Sequence, residues 1–454
     1  MPPASRTTSA PSKPRPRRAA AASPAAGASP SYAVERATLD NGLRVVVSPD
    51  PASPVVAVAV YYDVGMRSEP EGRTGFAHLF EHLMFQGSAS LGKTEHFTYV
   101  QGNGGMLNGS THVDYTNYYE VMPSSATELA LFLEADRMRS VAVTQENLDN
   151  QIAVVQNEIR VNVLNRPYGG FPWLTVPPVL FDRFANSHNG YGDFVDLESS
   201  TLDDAQGFFD RYYAPGNAVL SIAGDVEPAQ VLAWVEQHFG DIPARPVPER
   251  PSFSEPWPTQ ERRAVEHDEL APAPAVAMAW RVPDPADLAT YLPYVVLAEV
   301  LTDGDASRLQ ERMLLEDRSA TSISGYLGLL GDPLDARDPT PFLIEVHHPE
   351  QTPVDTVLAT VAQELDRLAT SGLEAAELDR TVARMTARYL REVDSVLGRA
   401  TTMAVFEQQR DRAELVNELP GLLRQVTAQA VQAAAATLTP QTRTVLELRP
   451  GKAS

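Results

Sequence analysis

Between residues 240 and 262 runs GDIPARPVPERPSFSEPWPTQER, with six prolines, one glycine and little periodicity. Proline fixes φ and lacks the N–H that a helix or ladder needs, so no regular element crosses this stretch. It divides the chain into a first half, 32–240, and a second, 263–450, with 241–262 as linker. Each half shows the same run of signals. In the first, ATLDNGLRVVVS (37–48) sets Asn-Gly between extended runs, a hairpin signal, and SPVVAVAVYYDVG (53–65) reads as a buried β-branched strand. A helix at 74–87, a strand within THVDYTNYYEV, helices over 125–141 and from an N-cap at Thr144, and a strand before Val226 follow. The second half restarts with APAVAMAWRVPD (273–284), continues into helix at 288–304 and ends in TRTVLEL (442–448). The expected fold is α+β: two similar halves related by duplication, each an antiparallel-rich sheet covered by helices, facing each other across a chamber.

The first 31 residues differ from the rest. They hold Ala, Pro, Ser and five basic residues with no acid, and read as a disordered tail. A mitochondrial transit peptide is the rival reading, opposed by the prolines. No secretory signal is seen, so the expected compartment is the cytoplasm, with the mitochondrial matrix as the alternative. The whole chain carries −22, leaving −27 beyond that tail. Such a field disfavours nucleic acid and anionic membranes as partners, and fits a cationic substrate or solubility alone. No cysteine is present, which excludes disulfides, thiolate ligands and a cysteine nucleophile.

The helix TGFAHLFEHLMFQGS (74–88) spends two of nine histidines and an acid on one face. Positions i, i+3 and i+4 are neighbours on a helix, so His78 and His82 can present imidazoles to one ion with Glu81 beside them. Two neutral imidazoles suit Zn²⁺, and a carboxylate outside the ligand set can take a proton from water. A catalytic site needs a third ligand, and Glu158 is the candidate, one turn beyond Val154 and on an inward face. The plain alternative is a pair of core histidines with a salt-bridged glutamate.

With GFAHLFEHLMFQGS come GGMLNGSTHVDYTNYYEV, VVQNEIR and YYAPGNAVLSIAGDV. Together these resemble the pitrilysin-type, inverted-motif (HxxEH) zinc peptidases, in the short two-domain branch of mitochondrial processing peptidase and its bacterial relatives. The resemblance covers about 34–450 and is specific in the first half, diffuse in the second. It implies that His78, His82 and Glu158 bind zinc and that Glu81 is the base. It implies that Asn108, Gly109 and Ser110 lie on an exposed edge strand that holds a peptide by β-augmentation, although the glycines there are equally well explained by a turn.

Two departures stand out. Where the family has a further acid two turns before the glutamate ligand, this chain has Gln151. Active single-chain members carry an Arg followed seven residues later by a Tyr, which hold the substrate carbonyl; here Arg312 fits the first position but Ser319 stands at the second, and Tyr326 lies too far on. The resemblance therefore implies a zinc-bearing subunit of a heterodimer, completed by a homologous chain with the Arg/Tyr pair, or else a homodimer or a single chain in which another residue substitutes. The expected activity is a zinc metallo-endopeptidase acting on peptides or unfolded, leader-like segments. The competing reading is a non-catalytic core subunit of a larger complex.

Overall fold

A computed structural model describes residues 31–452, so the tail read at 1–31 lies outside the described residues except for its last position. The first-half sheet is built from β1 (Glu35–Thr38), β2 (Arg44–Pro49), β3 (Val55–Tyr62), β4 (Met106–Thr111), β5 (Thr116–Pro123) and β6 (Ala218–Gly224). Their spatial order is β1-β2-β6-β3-β5-β4. The second sheet holds β7 (Arg262–Asp268), β8 (Ala275–Arg281), β9 (Ser322–Leu327), β10 (Pro341–His347) and β11 (Thr444–Pro450), in the order β7-β11-β8-β10-β9. In each sheet one pair is parallel, β2 with β6 and β7 with β11, and the remaining pairs are antiparallel. Substituting β7 for β2, β11 for β6, β8 for β3, β10 for β5 and β9 for β4 converts one order into the other, with β1 as the only addition. The halves are topological duplicates, and β4 and β9 are equivalent edge strands.

The strand VVAVAVYY becomes β3 because β-branched and aromatic side chains fill both sides of a pleated surface. Val56, Val58, Val60 and Tyr62 point into the core beneath the first-half helices. These helices include α1 (Phe76–Leu83), α2 (Glu95–Gly102), α3 (Thr127–Arg139) and α4 (Gln145–Ile159). Ala57, Ala59 and Tyr61 point the other way, into a core shared with the second half. That face of β3 and β6 is covered by a second-half helix, Val396–Arg410. Its Arg399 pairs with Asp50 at 2.6 Å. The reverse exchange also occurs. Ala275, Ala277 and Ala279 of β8 admit Phe171, Val176, Leu180 and Phe181 of the first half. The sequence leads one to expect a chamber between the halves; along these seams they pack directly, because each sheet would otherwise leave one apolar face to water.

The proline-rich stretch forms neither helix nor strand between 243 and 261. It is tied down by side chains instead. Glu255 accepts from the backbone N–H of Asp182 at 2.8 Å and from Asn186 at 2.6 Å, and Arg250 reaches Asp114 at 2.8 Å. Among the described residues no helix is long and apolar enough to cross a membrane.

Candidate metal centre and active site

Helix α1 begins at Gly75, whose φ of 84° lies in the left-handed region that glycine tolerates. Its free N–H groups are met by the buried carboxylate of Glu69, which accepts from Gly75 at 2.9 Å and Ala77 at 2.8 Å. His188 Nε2 lies 3.0 Å from the same carboxylate. Burial holds the Glu69 pKa above the ordinary carboxylate value, with the His188 hydrogen bond opposing that rise. This anchor sets the axis and rotation of α1, and hence where His78, Glu81 and His82 point.

Helix α4 is capped by Thr144, whose side chain accepts from Asn147 N–H at 3.2 Å, as its sequence suggests. It delivers Glu158 to the two histidines. Glu158 Oε2 lies 3.7 Å from His78 Nε2 and 3.3 Å from His82 Nε2. Tetrahedral zinc with bonds near 2.1 Å separates its ligand atoms by about 3.4 Å. The donor set, two imidazole nitrogens and one carboxylate oxygen, is the set that zinc prefers, so these residues fit the ion. Burial pushes the His78 pKa down to about 4, which keeps the ring neutral and its lone pair free. Hydrogen bonding from His82 and then Tyr191 holds Glu158 down at about 2, in its ionised form.

Glu81 stands outside this trio of donors. Its Oε2 accepts from Thr111 Oγ1 at 2.8 Å, and its pKa is raised first by burial. The closest approach is made possible by Gly109, where a Cβ would stand 3.3 Å from Glu81 Cγ. Thr111 and Gly109 both lie on β4, which is the edge of its sheet, so the carboxylate is fixed to the strand that has a free ladder side. Asn108 is exposed on that strand, and Ser110 donates to Asn117 and sits 3.1 Å from His112 Nε2. His112 Nδ1 lies 3.1 Å from Asp335, so the second half touches the same edge.

Arg312 stands apart from this group. Among the described residues its ion-pair partners are Glu316 at 3.1 Å and Asp317 at 2.9 Å, beside it in the chain. Ser319 is buried, and Tyr326 lies on β9, the second-half counterpart of β4. Glu69, Thr111 and Tyr191 are contributors that the sequence did not single out. Each acts across a gap in the chain with no periodic signal; only the glycines flanking Tyr191, in NGYGD, hint at a constrained loop.

A second group of donors, His96, Glu120 and Glu134, lies within the same half and is fully buried. Here Arg137 donates to both oxygens of Glu134, through Nε at 2.8 Å and through Nη2.

Residues 44–167 match the family described as Insulinase (Peptidase family M16), and residues 199–385 match the Peptidase M16 inactive domain. The chain belongs to peptidase family M16. Its M16 relatives include the zinc protease PqqE of Helicobacter pylori, 27% identical over 389 residues that cover 83% of this chain and 84% of that protein. The zinc protease ML0855 of Mycobacterium leprae is 30% identical over 210 residues, 46% of this chain and 47% of the relative. A solved structure of a protease from Helicobacter pylori superposes with a TM-score of 0.84 at 24% identity, covering 92% of this chain and all of that one, and so shares the fold. The match to the M16 inactive domain starts at residue 199, in the last part of the first half, and runs into the second; it includes none of His78, His82 and Glu158.

Proposed function

We propose that this M16 chain is a zinc metallo-endopeptidase in which His78 Nε2, His82 Nε2 and Glu158 Oε2 hold the ion. The observation that carries this reading is the convergence of those three atoms with Glu81 beside them and outside the ligand set. Zinc, when bound, supplies a Lewis acid that lowers the pKa of a water molecule. Glu81 takes that water's proton on a carboxylate oxygen and passes it to the leaving amine nitrogen. Its raised pKa suits a group that must hold a proton between two steps. Thr111 keeps the carboxylate aimed by donating to Oε2. Asn108, Gly109 and Ser110 lie on the free edge of β4, where an extended peptide can add as a further strand. An edge of that kind takes unfolded or leader-like segments rather than folded domains.

Arg312 is engaged by Glu316 and Asp317, and no tyrosine stands seven residues beyond it. This supports a reading in which a homologous chain with an Arg/Tyr pair completes the site as a heterodimer; a homodimer is the other arrangement. A second reading, a non-catalytic core subunit, draws on the match of residues 199–385 to an inactive domain. The intact donor set of the first half speaks against it.

The test is hydrolysis of a mixed peptide pool by the zinc-loaded chain, alone and with a homologous Arg/Tyr-bearing chain from the same organism. Cleavage that disappears in Glu81→Gln is expected. A zinc-loaded chain that cleaves nothing in either setting would favour the core-subunit reading.

A further inference from the structure

Residues 168–198 lie between the two matched family segments. The loop within them touches the metal-binding group at three points through one residue, Tyr191. Its ring stacks on the His78 ring, with centroids 4.6 Å apart and planes 9° from parallel. Its carbonyl oxygen lies 3.4 Å from His78 Nδ1. Its hydroxyl donates to Glu158 Oε1 at 2.6 Å. Asn162 Nδ2 donates in turn to the Tyr191 hydroxyl at 3.2 Å, and Trp173 meets the Tyr191 ring edge-on at 5.3 Å.

The loop is built to hold this position. Gly75 and Gly192 pass so close that a Cβ on Gly75 would lie 2.5 Å from Gly192 Cα, and both glycines have positive φ, 84° and 109°. Beyond them, Thr74 Oγ1 donates to Asp196 at 2.7 Å and accepts from Asp193 N–H at 3.0 Å. The start of α1 and the loop carrying Tyr191 are therefore one rigid junction.

We infer that Tyr191 is a positioning residue for two metal ligands at once. The inference rests on the metal-site reading above. The carbonyl fixes a proton on His78 Nδ1, which leaves Nε2 as the lone-pair atom. The hydroxyl occupies Glu158 Oε1 and leaves Oε2 turned to the histidines, so Glu158 presents a single oxygen. The stacked ring stops His78 from rotating out of line. The sequence departs from its family at Gln151, where an orienting acid is expected, and Tyr191 performs the orienting from another element. Partners of this kind typically change metal affinity by about 10- to 100-fold when removed.

The test compares wild type, Tyr191→Phe and Tyr191→Leu by competition with a chromophoric zinc chelator, with His78→Ala as the control for the site. Tyr191→Phe keeps the ring and the carbonyl and loses only the hydroxyl, so zinc should bind about 10-fold more weakly; Tyr191→Leu also loses the stack and should approach 100-fold. The visible spectrum of the Co²⁺-substituted protein gives the second readout. Loss of the hydroxyl lets Glu158 offer both oxygens, and the absorptivity should fall from tetrahedral toward five-coordinate values. Melting of the metal-free Tyr191→Phe chain should match wild type, which a purely structural role would not allow. Wild-type zinc affinity and cobalt spectrum in Tyr191→Phe would overturn the inference while leaving the metal site standing. Failure of the wild-type chain to bind zinc at all would overturn both.

Discussion

The first half contains two histidine–carboxylate groups of nearly the same composition, and their surroundings separate them. His78, His82 and Glu158 stand at a partly open position, with the Glu158 side chain 32% exposed and, among the described residues, no arginine paired to it. His96, Glu120 and Glu134 are sealed between α2, α3 and β5, with Glu134 and Glu120 at 0% and 1% exposure. Arg137 fills the sealed group. It pairs with Glu134 and lies over the rings of Tyr118 at 4.3 Å and Phe85 at 5.2 Å. Donor type alone therefore does not make a metal centre. The open group lacks a resident cation and can take one from solution; the sealed group already has one. Two buried carboxylates beside a single guanidinium cannot both ionise cheaply, so the sealed group holds a proton as well. Burial pushes Glu134 up to about 8 and raises Glu120, while Arg137 opposes both.

The contrast can be broken in several ways. The largest effect is expected in the open group. Glu81→Gln should reduce peptide hydrolysis by about 10³-fold while zinc content stays at the wild-type level, since general acid–base groups contribute on the order of 10²–10⁴. Retained activity would remove Glu81 as the base. In the sealed group, Arg137→Leu should lower unfolding stability by about 3–5 kcal/mol in a urea titration, because it strands two buried carboxyls. Glu158→Gln in the metal-free chain, by contrast, should change stability by less than about 1 kcal/mol.

A smaller effect follows from pH. Glu134 has a folded pKa raised above its ordinary carboxylate value, so between about 4.5 and about 8 the native state binds a proton that the unfolded chain has lost. This contribution to stability is complete at low pH and declines as pH rises toward 8, by at most about 1.4 kcal/mol per pH unit. Glu134→Gln should flatten that decline relative to wild type. An equal slope in both proteins would place the proton elsewhere. The smallest change is expected for Thr111→Val, which removes one hydrogen bond from Glu81 worth about 0.5–1.5 kcal/mol. It should lower kcat/KM by several-fold, and Thr111→Ser should restore it.

Much of this arrangement was legible in local patterns. The H-x-x-E-H spacing places three side chains on one turn of α1, Thr144 announces α4, and the repeated strand and helix signals announce the duplication. What escaped is what depends on distant partners. Tyr191 is 113 residues from His78, and nothing periodic links them. Helix Val396–Arg410 reads as an ordinary second-half helix, yet its apolar face completes the first sheet. The helix at Thr127–Arg139 reads as amphipathic, but Glu134, Asp136 and Arg137 are buried with it, since each finds a charged or hydroxyl partner inside. Arg312 matches a family position in sequence, but sequence does not reveal that Glu316 and Asp317 hold it.

The decisive measurement is zinc content per chain, by elemental analysis after dialysis, in wild type, His78→Ala and His96→Ala. One zinc in wild type, none in His78→Ala and one in His96→Ala is the expected result. Zinc retained in His78→Ala, or lost in a stable His96→Ala protein, would place the metal in the sealed group and contradict the assignment of the open one.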